Sequence, residues 1–171
     1  MSRPNFVYCP YCATALVERE IYRQRRPTCP QCGFIHFPDP KVAVVGLVTQ
    51  GDQVLLVRRA VEPGKGLWSL PGGYMDAGEL PEAALQRELL EEIGLPVVIQ
   101  ALLTIFPMVG ASGRSQGIVL AYHAIPVVPA PAALHCDDDV SEAGWFTQTT
   151  LPTKLAFEST QTLLAQWVSN L

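Results

Sequence analysis

No stretch of about 18 consecutive apolar residues occurs in this chain, so no membrane span is expected. Its start, MSRPNFVYCPYC, has no apolar signal region, which argues against secretion and for a cytoplasmic protein. Positive charge is not in excess. Lys and Arg number 12 against 16 Asp and Glu, a net charge of −4, which argues against a general nucleic-acid binder as the role of the whole protein. Internal repeats are lacking as well. What the chain has is bulk: 171 residues at 49% hydrophobic content suffice for one ordinary core and a small appendage.

The five cysteines are unevenly placed. Cys9-Pro-Tyr-Cys12 and Cys29-Pro-Gln-Cys32 are two CxxC pairs separated by 16 residues, the spacing of a zinc ribbon. Each pair makes a tight knuckle, and Gly33 stands where the second needs a turn. Two disulfides are the alternative, disfavoured in a cytosolic chain. A redox role is weaker still, because neither pair has a strand–helix context. Four thiolates leave no open coordination position, so a Zn²⁺ held by Cys9, Cys12, Cys29 and Cys32 is expected to be structural. With four cysteines filling the site, His36 is expected in a structural role and not as a spare ligand, Cys136 is a small packing residue, and His123 and His135 carry no motif.

Residues 1–37 are assigned to the ribbon, with a strand over 17–23, and Pro38-Asp39-Pro40 to a linker, so that a second domain spans 38–171. Apolar, β-branched content predicts strands over 42–48, 53–58, 97–106, 118–128 and 143–146. Between them, 108–117 reads as a polar Gly/Ser loop, 129–133 as a connector and 137–139 as an acidic loop. A helix is expected over 80–93, and Thr160, Leu163, Leu164, Trp167 and Leu171 mark a terminal amphipathic helix. Mixed strands with helices on either side predict an α/β/α sandwich.

The helix over 80–93 carries the chemistry. Pro81 suits its first turn and Gly94 a left-handed cap, and Leu85, Leu89 and Ile93 form a core stripe. Glu88 stands i, i+3 to Glu91 and i, i+4 to Glu92, so three carboxylates share one region of the helix surface. Such like charges repel by a few tenths of a kcal/mol per exposed pair. They form either a solvated acidic face or a seat for a hard divalent cation, which takes oxygen ligands and bridges to substrate phosphates.

The larger pattern bears on that choice. From Gly73 to Leu95 it runs Gly, five residues, Glu79, seven residues, Arg87-Glu88-Leu89, one residue, Glu91-Glu92, one residue, Gly94-Leu95, so nine positions are filled at fixed offsets over 23 residues. This stretch, with GLWSLPGG before it, resembles the Nudix hydrolases, which cleave nucleoside diphosphates linked to another group. The resemblance covers about residues 40–171 and implies the same sandwich fold. It implies Mg²⁺ (or Mn²⁺) ligands at Glu88, Glu91 and Glu92, one of them also available as base, and a further ligand in the Gly72 carbonyl. Glu79 and Arg87 are implied to hold the loop–helix geometry as an ion pair. An additional acid outside this stretch is implied too, with Asp138, Asp139 and Glu142 as candidates. Trp68, Phe106 and Tyr122 are aromatic candidates for stacking on a base, against the alternative of ordinary core packing.

A ribbon before such a domain, together with HFPDP at 36–40 and LAFEST at 155–160, resembles the NADH, ADP-ribose and FAD pyrophosphatases. The expected reaction is therefore P–O–P cleavage to AMP and a phosphorylated product. Two signatures are absent. LLTIFPMVGASGRSQG stands where NADH pyrophosphatases carry an SQPWPFPxS-type motif, and Ala111 stands where the ADP-ribose subgroup carries proline. The alternative is a sanitising hydrolase of nucleoside triphosphates or RNA caps, with the ribbon on nucleic acid. Arg19, Arg23, Arg25 and Arg26 lie between the knuckles, as a solvated face, a homodimer contact or a nucleic-acid strip.

Overall fold

In the computed structural model, residues 6–109, 115–130, 134–137 and 139–169 are described, the side chains of 115 and 116 excepted. The chain divides into two compact units, Met1–Pro40 and Lys41–Leu171.

In the first unit, strands β1 (Val17–Ile21) and β2 (Gln24–Thr28) form an antiparallel hairpin, with Ile21 opposite Gln24 and Val17 opposite Thr28. Tyr22 and Arg23 make the turn at φ 51° and 63°. Two positive φ values in a two-residue loop match the right-handed twist of the flanking strands. The strand expected over 17–23 thus ends two residues early, where the turn reverses the chain.

The second unit is built on a mixed six-stranded sheet. Its strands are β3 (Lys41–Gln50), β4 (Gln53–Arg59), β5 (Trp68–Ser69), β6 (Val97–Val109), β7 (Ser115–Pro126) and β8 (Val140–Phe146), in the order β5-β4-β3-β7-β6 with β8 also on β4. β3 and β7 are parallel, and the other pairs are antiparallel. Alternate residues serve opposite faces. Val44, Val48, Leu55 and Val57 meet helix α1 (Pro81–Ile93) through Leu85, Leu89 and Ile93. Leu47, Val54 and Leu56 share the other cluster with Leu163, Leu164 and Trp167 of helix α2 (Glu158–Ser169). The sheet therefore lies between two helices, as an α/β/α sandwich.

Of the polar loop expected over 108–117, residues 108–109 and 115–117 are strand, and 110–114 lie outside the described residues. β6 and β7 stay paired out to Val109 opposite Ser115, because each rung supplies a hydrogen-bond partner that the polarity of the segment does not forbid. β8 likewise starts at Val140, three residues before the expected strand, through its pairing with β4.

One edge of β3 is left largely free by its neighbour. β4 pairs with β3 only at its end, Thr49 with Val54 and Gln50 with Gln53. The vacated edge is taken by residues 71–75. Val44 N–H donates to the Gly73 carbonyl (2.9 Å), Gly46 N–H to Pro71 (2.9 Å), and Met75 N–H to Val42 (3.0 Å).

Candidate functional site

α1 begins with Pro81 in its first turn and ends at Gly94, φ 65°, whose N–H donates to the Leu90 carbonyl while the Leu95 N–H donates to that of Leu89. Its apolar stripe fixes the rotation of the helix against the sheet, and that rotation turns Glu88 and Glu92 toward Gly72 and Gly73. Gly72 N–H donates to Glu92 Oε2 at 3.1 Å. Gly73 lies against Glu88 so closely that a Cβ there would come within 2.5 Å of the carboxylate. At Gly72, φ is 135° and a Cβ would meet the Val44 carbonyl oxygen at 2.2 Å. Gly72 has no room for a side chain, and one at Gly73 would displace the Glu88 carboxylate.

Arg87 organises the acidic surface. Its Nε donates to Glu79 Oε1 (2.9 Å) and its Nη2 to Glu79 Oε2 (3.0 Å). Its Nη1 donates to Glu88 (2.9 Å) and Glu91 (3.0 Å), and Nη2 also reaches the Tyr74 carbonyl (3.1 Å). Glu79 Oε2 accepts from Asp76 N–H as well, at 3.1 Å. The guanidinium and this N–H hold the Glu79 carboxyl below the usual carboxylate range. The same carboxylates raise the Arg87 pKa, so the guanidinium stays charged. Three glutamates converge on one cation, a neutralisation that the helical offsets alone do not reveal.

Glu92 differs from its neighbours. It is 4% exposed, and burial pushes its pKa up to about 8. The charge of Asp139 adds to the rise, the Gly72 N–H opposes it, and Glu88 and a hydrogen bond with Asp139 raise it further. Burial also raises Glu88, partly offset by Arg87 and reinforced by Glu91 and Asp139. Glu91 stays open to solvent, its side chain 57% exposed. Crowded, desolvated carboxylates of this kind either share protons or bind a cation. Oxygen donors suit a hard divalent ion.

The three extra acids separate. Asp139 joins Glu88 and Glu92, and its side chain lies 4.0 Å from Arg59 Nη2. Its carbonyl accepts from Ala60 N–H at 2.6 Å, beside the register shift in β4 between Arg58 and Arg59. Glu142, on β8, instead pairs with Arg58 at 3.3 Å on the exposed surface. Asp138 lies outside the described residues. Among the aromatics, Tyr122 is 4% exposed, while Trp68 meets Phe146 edge-on at 4.9 Å and Phe106 sits at the rim of the α2 cluster, so all three pack. The ring that lies open next to Gly73 is Tyr74, 55% exposed, with the Lys41 ammonium 5.2 Å from its centroid. Its place directly after Gly73, the first glycine of the pattern, was the available signal.

In the first unit the four cysteine sulfurs lie within 4.8 Å of one another. Cys9 to Cys32 is 3.5 Å and Cys12 to Cys29 is 3.4 Å, far beyond the ~2.05 Å of a disulfide. A tetrahedron with metal–sulfur bonds of about 2.3 Å has edges of about 3.8 Å, so the donor set fits a metal ion. The knuckles match. Cys9 N–H bonds to the Thr14 carbonyl and Ala13 N–H to that of Cys9, as Cys29 N–H bonds to Phe34 and Gly33 N–H to Cys29. Ala13 (φ 57°) and Gly33 (φ 78°) take the same left-handed turn. The hydrogen bonds to Thr14 lower the Cys12 thiol to about 6, whereas at Cys32 a backbone bond from Phe34 is outweighed by the neighbouring Cys29 and Cys9 sulfurs, which push it up to about 12; thiols so crowded do not all ionise without a cation among them. His36 is buried outside this cluster against Phe6, ring centroids 4.7 Å apart.

Comparison with known proteins agrees with the carboxylate helix. Residues 39–167 match the NUDIX domain family. An ADP-ribose pyrophosphatase of Methanocaldococcus jannaschii is 35% identical over 119 residues, 70% of this chain and 68% of that protein. An NAD-capped RNA hydrolase, NudC, of Pseudomonas aeruginosa is 31% identical over 149 residues, 85% of this chain; the match spans 49% of that protein, about half its length. A crystal structure of a NUDIX hydrolase from Nitrosomonas europaea shares the fold with a TM-score of 0.85 at 24% identity, covering 96% of this chain and 92% of that one.

Proposed function

This chain belongs to the Nudix family and is a diphosphatase, and on that premise we propose that it hydrolyses a nucleoside diphosphate linked to a second group, of the ADP-ribose, FAD or NADH type. The products are AMP and a phosphorylated remainder. The observation that carries this reading is the desolvated carboxylate cluster of Glu88, Glu92 and Asp139 against the side-chain-free backbone of Gly72 and Gly73. A diphosphate can approach a glycine backbone closely, and it brings charge that the acidic cluster tolerates only with cations between them.

Glu88, Glu91 and Glu92, with the Gly72 carbonyl, would hold Mg²⁺ or Mn²⁺, which supplies neutralisation of phosphate charge and acidification of water. Asp139 is the additional acid in this reading. Arg87 and Glu79 orient the cluster and do not react. One of these glutamates would also take the proton from water, and Glu92, the least solvated of them, is that group in this reading. Cys9, Cys12, Cys29 and Cys32 would hold Zn²⁺ as a closed structural site that crosslinks the two knuckles. A second reading, cleavage at a nucleotide-capped RNA end, is favoured by the similarity to the NAD-capped RNA hydrolase.

The test is product analysis over ADP-ribose, NADH, NAD, FAD, diadenosine polyphosphates, nucleoside triphosphates and an NAD-capped oligonucleotide, with Mg²⁺ and Mn²⁺ in ¹⁸O-labelled water. AMP, or a 5′-monophosphate end from the capped oligonucleotide, with label on a phosphate is expected. From ADP-ribose, NADH, NAD or FAD, free adenine or nicotinamide, or a product with the diphosphate intact, would refute the reading.

A further inference from the structure

The β1–β2 hairpin sorts its charges by face. Residues directly opposite each other share a face, and alternation sends their neighbours to the other. Glu18 and Glu20 lie on one face with Arg25, and Glu20 stands opposite Arg25, a favourable pair. The other face sets Arg19 directly opposite Arg26, and none of its strand residues is acidic. Like charges so placed destabilise a hairpin. Among the described residues, neither arginine forms an ion pair that would relieve this, nor does Arg23 at the turn. Arg26 is further anomalous in that its Nε is buried without a hydrogen-bond partner.

The same face carries open rings. The Arg26 guanidinium lies 4.6 Å from the centroid of Phe37, and Phe37 stacks on Tyr22 at 6.5 Å with 27° between planes. Tyr22 is 80% exposed and Phe37 46% exposed. Cation, ring and ring thus form a short ladder beside an uncompensated pair of arginines. A solvated face has no use for exposed rings, and a purely apolar contact has no use for opposed cations. Unpaired bases joined by phosphates use both, stacking on rings and guanidinium planes while the backbone meets the arginines.

We infer that the ribbon hairpin is a binding platform for single-stranded RNA, with Tyr22 stacking on a base at the open end of the ladder, Phe37 and Arg26 backing that ring, and Arg19 and Arg23 on phosphates. RNA is the occupant that ordinarily presents unpaired bases, which duplex DNA buries. The platform has the same use whichever diphosphate the second unit cleaves.

The test is fluorescence anisotropy of the full chain with a 3′-labelled RNA of about 12 nucleotides, within the range one such platform spans. Its 5′ end is a hydroxyl, so it offers the carboxylate site no diphosphate. Binding is expected to weaken steeply with salt. Tyr22→Ala should weaken it about tenfold, within the range measured for a lost base–aromatic stack, and Phe37→Ala, which removes the backing of that ring, should weaken it less. Tyr22→Phe, which keeps the ring, should retain it. Arg19→Ala should lower affinity and reduce the salt slope by about one, while Arg25→Ala on the opposite face should change affinity by less than about twofold. Glu92→Gln should bind as the parent does. A duplex of the same length bound as tightly, or ring variants without effect, would overturn the inference. So would loss of binding in Glu92→Gln, which would put the RNA at the carboxylates. If Tyr22→Ala instead converts a dimer to monomer in sedimentation and leaves RNA binding untouched, the face belongs to a second copy and the inference fails.

Discussion

Arg87 grips Glu79 with two parallel hydrogen bonds, Nε to Oε1 at 2.9 Å and Nη2 to Oε2 at 3.0 Å, and so ties the middle of α1 to the loop that precedes it. The fork geometry of a guanidinium is what makes both bonds at once. An ammonium makes one. Arg87→Lys is therefore expected to keep the charge and lose the alignment, lowering kcat on the order of a hundredfold with a small change in melting temperature. Steady-state kinetics beside a thermal melt checks this. Unchanged kcat would refute the positioning role.

Glu92 gives the pH dependence. Its folded pKa, about 8, lies above the ordinary 4.5, so the folded state binds the proton more tightly than the unfolded state. Stability from this group is full below about pH 4.5 and is lost as pH rises toward 8. In chelator, the melting temperature should fall between pH 5 and 8.5, reflecting a loss of a few kcal/mol. Glu92→Gln should flatten that slope and cost at least about a hundredfold in activity. Millimolar Mg²⁺ should restore parent stability at pH 8, because a cation replaces the proton.

Gly72 and Gly73 should respond differently to alanine. At Gly72 the obstacle is the Val44 carbonyl oxygen, at 2.2 Å from the new Cβ, with an unfavourable φ of 135° as well. A loss of about 2–3 kcal/mol or more is expected, seen in denaturant melts. At Gly73 the obstacle is the Glu88 carboxylate, which can move. Gly73→Ala should fold nearly normally and lose turnover, because Glu88 is driven from its place.

The cysteine cluster predicts about one zinc per chain by elemental analysis. Cys9→Ser should abolish it, and Cys136→Ser should leave it unchanged. Two disulfides found by mass spectrometry in place of metal would overturn the assignment. Ala13, held at φ 57°, occupies the turn that Gly33 fills in the other knuckle. Ala13→Gly should stabilise the first unit by about 1 kcal/mol, read as greater resistance to chelators.

Much of this site was legible before the fold was known, because its devices are local. Pro81, Gly94 and the Leu85–Leu89–Ile93 stripe define a helix from within one segment, and the glutamate offsets follow from helical geometry. Partners set by distant pairing were not legible. Asp139 and Glu142 look alike in sequence. What separates them is the register of β8 on β4, where Glu142 falls opposite Arg58 and the shift after it brings Asp139 inward. The strand nature of 108–109 and 115–117 likewise depends on β6 and β7 finding each other, and the exposure of Tyr74 depends on what does not cover it.

The stitching of residues 71–75 onto the open edge of β3 has a kinetic consequence. Val44, Gly46 and Met75 commit their amide hydrogens to this seam, which is therefore part of the sheet and not an appended loop. Those protons should exchange with deuterium only when the sheet itself opens, on the slow timescale of global unfolding. Gly72 and Gly73, caught between them, inherit that rigidity. The glycine bend is then an anvil and not a door, and any gating of product departure must be done by other segments of the chain.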